Sequence, residues 1–165
     1  NELPLTRPGV SHSITGSNYG NRMEAINFAL GHDDGMTHSG LNQAQVILVG
    51  VSRSGKTPTS IYLAMQFGIK AANYPLIPED FERGTLPPIL DGYLDKIFGL
   101  TIKPERLHSL RNERRPDSHY ASLSNCREEI GLAEALMKTM NIPLADSTTR
   151  SVEELSAIII QNMNN

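Results

Sequence analysis

The sequence predicts an α/β fold in which a doubly wound, mainly parallel sheet is flanked by helices. Residues 46–49, "VILV", form an unbroken apolar run, which is typical of a strand buried on both faces within a parallel sheet. Strand-like and helix-like segments also alternate along the chain, as they do in folds built from strand–helix–strand units. Together these two observations indicate the fold class.

The first half of the predicted fold contains two helices and two strands. Asn21 and Glu24 resemble a capping box opening a helix over residues 21–30. After the strand at residues 46–49, a second helix is expected to end at Gly68, a natural helix stop. A short, weaker strand follows in "AANYP".

The second half is predicted to continue this alternation. A short helix is expected around residues 90–98, a strand in "FGLTI", and a helix from Pro104, a residue suited to a first helical turn. A longer helix covers residues 120–140, and "NIPLA" supplies the last strand. Ser151 and Glu154 form a second capping box that opens the final helix.

Two regions are predicted along the chain. Residues 1–20 have no initiating Met and are rich in Pro, Gly, Ser and Asn, so they are expected to be a linker or the tail of a preceding N-terminal domain. Residues 21–165 are expected to form the domain that carries the chemistry. A chain of 165 residues can bury a core of its own.

Composition excludes several classes of protein. The formal net charge of −3 does not favour a nucleic-acid binder, which usually carries a basic balance. A single cysteine, Cys126, excludes an internal disulfide and suits a reducing compartment. No apolar run approaches the roughly 18 residues that span a bilayer, and no secretory signal is recognisable. We therefore expect a cytoplasmic protein with no membrane partner. A homo-oligomer is left open.

A phosphate-binding loop is predicted directly after the first buried strand. Gly50, Gly55, Lys56 and Thr57 have the spacing G-x-x-x-x-G-K-[ST]. In such a loop the glycines let backbone N–H groups surround phosphate oxygens, the Lys reaches the terminal phosphates, and the Ser/Thr hydroxyl can ligate Mg²⁺. The predicted phosphate-binding residues are Gly50, Val51, Ser52, Arg53, Ser54, Gly55, Lys56 and Thr57. The fold is thus expected to be of the P-loop type.

Two acidic segments are candidates for holding a metal ion or accepting a proton. Loops of this kind usually work with an acidic residue that holds Mg²⁺ at the end of a second strand, and Asp146 after "IPLA" is one candidate. Asp33 and Asp34, in "HDDG", are the other and could hold Mg²⁺ or accept a proton together with His32. Asp-Asp-Gly is also an ordinary turn sequence, so both interpretations stay open.

Further cations are candidates for contacts to phosphate or to a partner. Arg106 and Arg111 lie with Arg114 and Arg115 on the helix "RLHSLRNERR", and Arg forks bind phosphate or carboxylate with two hydrogen bonds. The alternative for this helix is a solvated face. Lys70 is expected either to point back toward the loop or to remain solvated.

Five segments are more informative than the loop alone: "HDDG", "QVILVGVSRSGKTPTSIYLAMQFGIKAANYPLI", "FGLTIKPERLHSLRNERR", "YASLSNCREE" and "ADSTTRSVEEL". Over nearly the whole chain they resemble the regulatory proteins of pyruvate phosphate dikinase and phosphoenolpyruvate synthase. The loop "GVSRSGKTPTS" followed by "AMQFGIKAANYP" is nearer the synthase branch. Members of this family are longer, with roughly a hundred further residues in front, so the chain resembles their C-terminal, nucleotide-binding portion.

The resemblance implies a bifunctional enzyme. As a serine/threonine kinase it would use ADP to phosphorylate an active-site Thr of the partner, switching it off. The target for inactivation would carry phosphate on its neighbouring catalytic His. As a phosphorylase it would use inorganic phosphate to remove the same group and release pyrophosphate. Phosphoenolpyruvate synthase is the expected partner, with pyruvate phosphate dikinase as the alternative.

The candidate residues can be joined to that chemistry. The loop and Lys56 would hold the ADP phosphates or inorganic phosphate, and Asp33 or Asp34 would take the proton of the target Thr. Arg106 and Arg111 would contact a phosphorylated partner surface. Two alternatives remain open: an ATP-dependent small-molecule kinase or nucleotide switch, and a binding module without catalysis.

Overall fold

The computed structural model describes residues 8–35, 37 and 39–165, with side chains described from residue 19 onward. From the first strand to the last helix, each strand is followed by one helix, except that two helices lie between the third and fourth strands. In chain order they are α1 (Pro8–Gly31), β1 (Val46–Gly50), α2 (Lys56–Phe67), β2 (Ala71–Pro75), α3 (Pro78–Arg83), β3 (Ile97–Thr101), α4 (Pro104–Arg114), α5 (Leu123–Thr139), β4 (Leu144–Asp146) and α6 (Val152–Met163).

The four strands form one parallel sheet in the order β2-β1-β3-β4. All five residues of β1 are buried, as expected for an apolar strand with neighbours on both sides and helices above and below. In the register of the sheet, Leu48 lies opposite Asn73 on one side and Phe98 on the other. The predicted fold class is therefore confirmed.

Helices cover both faces of the sheet because successive side chains of each strand point to opposite faces. Ile47 and Val49 pack into a cluster with Met137 of α5. Val46 and Leu48 face the other way and pack with Leu63 of α2 and with α6. This two-sided arrangement leaves the carboxyl edge of the strands open, which is where parallel sheets of this kind bind ligands.

The prediction of a helix at residues 90–98 is wrong. The chain makes two short 3₁₀ turns instead, at Pro88–Leu90 and Leu94–Lys96, before β3 begins. Gly92 between them has φ 89°, a left-handed conformation that does not continue a helix. Helix α3, which starts at Pro78, is a further element that the sequence pattern did not predict.

The amino end is more helical than predicted. α1 begins at Pro8, so Asn21 and Glu24 lie inside the helix and form no N-terminal capping box. Part of the segment expected to be a linker is therefore helical, while residues 1–7 lie outside the described residues. The division into two regions stays a prediction. The second capping box is confirmed, since Ser151 Oγ accepts from Glu154 N at 3.1 Å and Ser151 N donates to Glu154 Oε1 at 2.9 Å.

In the part of the chain that the structure describes, each helix is too short or too polar for a membrane span.

Candidate active site

The predicted phosphate loop lies at the carboxyl end of the central strand. The chain leaves β1 at Gly50 and enters α2 at Lys56, so the strand, loop and helix follow one another as predicted. The first N–H groups of a helix have no partner within the helix, and the helix dipole places positive potential there. An anion at this position would meet both.

The loop backbone has a shape that depends on particular residues. Arg53 has φ 74° and Gly55 has φ 105°, and both values lie in the left-handed region that reverses the direction of successive peptides. Gly50 is required for a different reason. A Cβ atom built on it would lie 2.5 Å from the carbonyl oxygen of Leu100 on β3. The strand therefore passes its neighbour too closely for any side chain.

Three carbonyl groups of the loop are held by side chains outside its backbone. Val51 O accepts from Lys56 Nζ at 2.9 Å, and Ser54 O accepts from Ser147 Oγ at 2.7 Å. The third, Ser52 O, accepts from Arg111. Because a trans peptide points its C=O and N–H in opposite directions, these bonds turn the following N–H groups away from the anchors.

Lys56 is the buried cation of the loop, with only 3% of its surface exposed. Burial lowers the pKa of its ammonium to about 8, although the charges of Asp34 and Asp33 oppose this effect and that of Arg111 adds to it. A phosphate placed next to the ammonium would favour its protonated form. The loop is thus arranged so that an anion restores the charge that burial disfavours.

The HDDG segment lies against the loop. Thr57 Oγ1 donates to Asp33 Oδ1 at 2.6 Å. Asn73, in the middle of β2, donates from Nδ2 to the same oxygen at 2.8 Å and accepts from Asp34 N at 2.8 Å. Its own N–H donates to His32 O at 3.0 Å. One strand residue therefore fixes the whole turn beside the phosphate loop.

The two aspartates have different surroundings. Asp33 is half-buried and its Oδ1 accepts the two hydrogen bonds described above. Asp34 is exposed and has a left-handed backbone, with φ 49°. Within the described residues its carboxylate accepts no hydrogen bond. Asp33 is therefore the fixed carboxylate of the pair, and Asp34 is the accessible one.

His32 and Asp146 do not join this group. His32 is buried, and its two ring nitrogens lie 2.9 and 2.7 Å from the carbonyl oxygens of Phe28 and Ser39. The carboxylate of Asp146 accepts from Thr148 N at 2.8 Å and from the Thr148 hydroxyl, which holds the turn after β4. The structure thus favours HDDG over Asp146 as the source of carboxylates beside the loop.

A cleft of about 710 Å³ opens above the loop. One wall consists of Asp33 and Asp34, and the floor is the loop with Lys56 and Thr57. The opposite wall comes from α4 and the segment after it. Its lining residues there are Leu110, Arg114, Arg115 and Tyr120. Carboxylates and guanidinium groups thus face each other across the phosphate loop.

The other predicted cations lie elsewhere. Arg106 is exposed on α4 and does not line the cleft. Lys70 immediately precedes β2, at the amino edge of the sheet, where it lines a separate polar cavity with Arg22 and Gln66. The expectation that Lys70 points back toward the loop is wrong, because β2 is parallel to β1 and begins at the edge opposite the loop.

The prediction for Arg111 also needs correction. It was expected on a partner-facing surface, yet it is fully buried and donates to Ser52 O of the loop. Sequence reasoning missed Asn73 and Ser147 altogether. Asn73 had one signal that could have found it, since it is a polar residue in the middle of an otherwise apolar strand. Ser147 had none.

Comparison with known proteins finds a matching family model and several similar proteins. A family model described as "Kinase/pyrophosphorylase" matches residues 1–160. A protein of Methylobacillus flagellatus is 67% identical over 162 residues, which are 98% of this chain and 60% of the relative. A protein of Azoarcus sp. is 64% identical over 157 residues, 94% of this chain and 57% of the relative. Both carry the name "Putative phosphoenolpyruvate synthase regulatory protein". The chain spans somewhat over half the length of these curated relatives.

Proposed function

The chain belongs to the kinase/pyrophosphorylase family, and from that premise we propose that its cleft catalyses two opposed phosphoryl transfers on phosphoenolpyruvate synthase. In the kinase direction ADP phosphorylates an active-site Thr of the synthase and inactivates it. In the phosphorylase direction inorganic phosphate removes that group and forms pyrophosphate. The observation that carries the proposal is the contact of Thr57 Oγ1 with Asp33 Oδ1 at 2.6 Å, which joins a phosphate loop to an acidic turn.

The loop would hold the phosphates of ADP. The Ser54 N–H donates to Val51 O within the loop, so the backbone N–H groups of residues 52, 53 and 55–57, with the Lys56 ammonium, are the donors that suit the oxygens of a terminal phosphate. Positioning and charge stabilisation are the main tasks of a protein in phosphoryl transfer. The β-phosphate of ADP would therefore lie on the loop, with its phosphorus open to the cleft.

In the kinase direction the Thr oxygen attacks the β-phosphorus. A new O–P bond forms, the bond from that phosphorus to the bridging oxygen breaks, and AMP leaves with the bridging oxygen. The hydroxyl proton passes to a carboxylate, since an un-ionised hydroxyl is a weak nucleophile. We assign this role to Asp34, because its carboxylate is exposed at the cleft and, within the described residues, accepts no hydrogen bond, whereas that of Asp33 accepts two.

In the phosphorylase direction the same loop would hold inorganic phosphate. One of its oxygens attacks the phosphorus of phosphothreonine, forming pyrophosphate and breaking the Thr O–P bond. The departing Thr oxygen takes a proton, and protonated Asp34 can supply it by reversal of the first step. Because phosphate itself is the nucleophile, no residue that activates water is needed.

Mg²⁺ is expected as a companion of the nucleotide. Thr57 Oγ1 and the Asp33 carboxylate supply the oxygen ligands that this ion prefers. Among the described residues no group of three or more His, Cys, Asp and Glu side chains forms a metal cage, which suits an ion that keeps waters and phosphate oxygens in its shell. When bound, Mg²⁺ would neutralise charge on the phosphates.

Phosphoenolpyruvate synthase is proposed as the partner because the relatives are named for it. Pyruvate phosphate dikinase is the alternative within the same chemistry. The relatives are considerably longer than this chain, so recognition of the partner can involve parts of them that the chain does not match. A cytoplasmic location follows from the proposed partner and stays part of the proposal.

The proposed function is tested by following a labelled phosphate from the nucleotide to the partner protein. The protein is incubated with phosphoenolpyruvate synthase phosphorylated on its catalytic His and with ADP labelled on the β-phosphate. A parallel arm contains ATP labelled on the γ-phosphate, and another contains pyruvate phosphate dikinase. We expect label on a synthase Thr from ADP, and its loss with release of pyrophosphate after phosphate is added. Label from ATP alone, or on no protein, would refute the proposal and favour an ATP-dependent small-molecule kinase.

A further inference from the structure

Arg111 is surrounded by groups that fix its guanidinium. Nη2 donates to Glu129 Oε1 at 2.8 Å, and Nη1 donates to Tyr120 O at 3.0 Å. The guanidinium carbon lies 4.2 Å from the centre of the Tyr120 ring. Glu129 is held in turn by Asn125, whose Nδ2 donates to Oε2 at 2.9 Å. This cation therefore has a single, well-defined position beneath the cleft.

Two further donors of Arg111 meet at one carbonyl of the predicted phosphate loop. Nε and Nη2 lie 3.3 and 3.1 Å from Ser52 O. A second restraint acts on the same residue, since Ser52 Oγ and the Tyr120 hydroxyl lie 2.7 Å apart. Replacing a buried ion pair by apolar residues is often neutral or stabilising, so stability alone is a poor explanation for this arrangement.

Peptide geometry links the anchored carbonyl to the ligand. The Ser52–Arg53 peptide is planar, so an oxygen directed at Arg111 directs the Arg53 N–H to the opposite side. Arg53 itself has φ 74° and lines the cleft. Without the anchor, rotation of this peptide would exchange the N–H for a carbonyl oxygen, which repels phosphate.

We propose that Arg111, held by Glu129, is a positioning residue that orients the Arg53 N–H toward the phosphate on the loop. The inference rests on the proposed function, because the ligand is the terminal phosphate of ADP or inorganic phosphate. Arg111 does not touch the phosphate itself. Ser147 acts in the same way two residues further along the loop. Its Oγ donates to Ser54 O and so orients the Gly55 N–H.

These two anchors allow a matched experiment on backbone amides. ¹⁵N-labelled chain is titrated with ADP while amide resonances are recorded. The Arg111 variant combines Arg111→Met with Glu129→Gln, so that no buried charge is left unpaired. Ser147→Ala is the partner variant. Arg127→Met is the control, because Arg127 is exposed on α5, lies 3.6 Å from Glu105 and, within the described residues, donates no hydrogen bond to a loop carbonyl.

We expect each anchor to control its own amide. ADP should shift both the Arg53 and Gly55 resonances in the unaltered chain and in the Arg127→Met control. The Arg111 double variant should lose the Arg53 response, keep the Gly55 response, and bind ADP about tenfold more weakly, as for the loss of one hydrogen bond to a charged group. Ser147→Ala should show the opposite pattern. A purely structural role would alter both resonances together.

The outcomes separate this inference from the proposed function. A folded Arg111 double variant whose Arg53 amide still responds as in the unaltered chain would overturn the inference and leave the function intact. If ADP binds nowhere on the unaltered chain, the proposed function fails. Should the double variant unfold, Arg111→Lys decides, because Lys keeps the charge but cannot donate twice to Ser52 O. A full Arg53 response in that variant overturns the inference, and a reduced one supports it.

Discussion

Cationic side chains lie at both edges of the sheet. The two edges differ in the burial of these cations and in the hydrogen bonds around them. At the carboxyl edge, Lys56 is buried, and Thr57, Asp33 and Asn73 are joined by hydrogen bonds between three elements. At the amino edge, Lys70 and Arg22 line a polar cavity of about 490 Å³. No side-chain hydrogen bond or ion pair of these two cations is present among the described residues.

The difference indicates what the proposed phosphate site needs beyond positive charge. An exposed cation is solvated by water and attracts an anion only weakly. A buried cation beside oriented N–H groups has already lost its water, so a phosphate meets groups that need little rearrangement. The comparison predicts that substitutions at the carboxyl edge affect ADP, whereas matched substitutions at the amino edge do not.

The largest effect is expected for Lys56→Met. It removes the buried ammonium that faces the phosphates, so both directions of the reaction should slow by about 10²–10³ or more, the range seen when one charge-stabilising donor is lost. Lys70→Met is the matched control and should leave ADP affinity unchanged. Rates are measured by label transfer and affinities by calorimetry. Equal losses of affinity in the two variants would contradict the distinction between the edges.

Substitutions of the two aspartates should affect different steps of the reaction. Asp34→Asn is expected to slow the kinase direction by about 10²-fold, typical of losing a general base, while ADP still binds. Asp33→Asn should mainly weaken ADP binding in the presence of Mg²⁺, because the partner of Thr57 changes. Single-turnover rates and ADP titrations with and without Mg²⁺ distinguish the two results. Full activity of either variant in both directions would remove that residue from the proposed roles.

Glycine substitutions at the two edges of the sheet are compared by their effect on the free energy of unfolding. Gly50→Ala forces a Cβ atom to within 2.5 Å of Leu100 O, and we expect it to cost about 1–3 kcal/mol of unfolding free energy, as other overpacking changes do. Gly68→Ala, at the amino edge, meets nothing closer than 3.8 Å but has φ 66°. Its cost should be about 1–2 kcal/mol from backbone conformation alone. Urea denaturation measures both, and only Gly50→Ala should also reduce ADP affinity.

The smallest effect concerns pH. The Lys56 ammonium has a pKa of about 8 in the absence of ligand, so it is mostly protonated below that pH and loses its proton above it. ADP affinity should therefore be highest near neutral pH and fall as the pH rises through about 8. Calorimetric titrations between neutral and alkaline pH measure this change. In Lys56→Met the fall should disappear, and its persistence there would assign the titration to another group.

The sequence predicted what depends on local pattern. The buried run at residues 46–49, Gly50 and Gly55-Lys56-Thr57 were enough to place the predicted phosphate loop between a strand and a helix, because these signals are local in the sequence. The parallel sheet followed from alternation of elements. The short helix at 90–98 was wrong because Pro88 and Gly92 decide the backbone there more strongly than the apolar residues around them.

The sequence could not decide what depends on distance in the fold. Asp33 and Asp146 were both reasonable partners for the loop. The choice rests on Asn73, whose place in β2 brings the HDDG turn to Thr57. Arg111 and Arg106 lie on the same helix and look alike in the sequence, yet one is buried and the other exposed. The packing of α4 against α5, Tyr120 and the loop separates them.

If one loop serves both directions of the reaction, ADP and inorganic phosphate must compete for it. ADP is titrated calorimetrically into the protein at increasing phosphate concentrations, with Lys56→Met as the comparison. We expect the apparent Kd of ADP to rise linearly with phosphate concentration, and Lys56→Met to weaken the binding of both ligands. An ADP affinity that stays constant at saturating phosphate would show two separate sites and contradict the account.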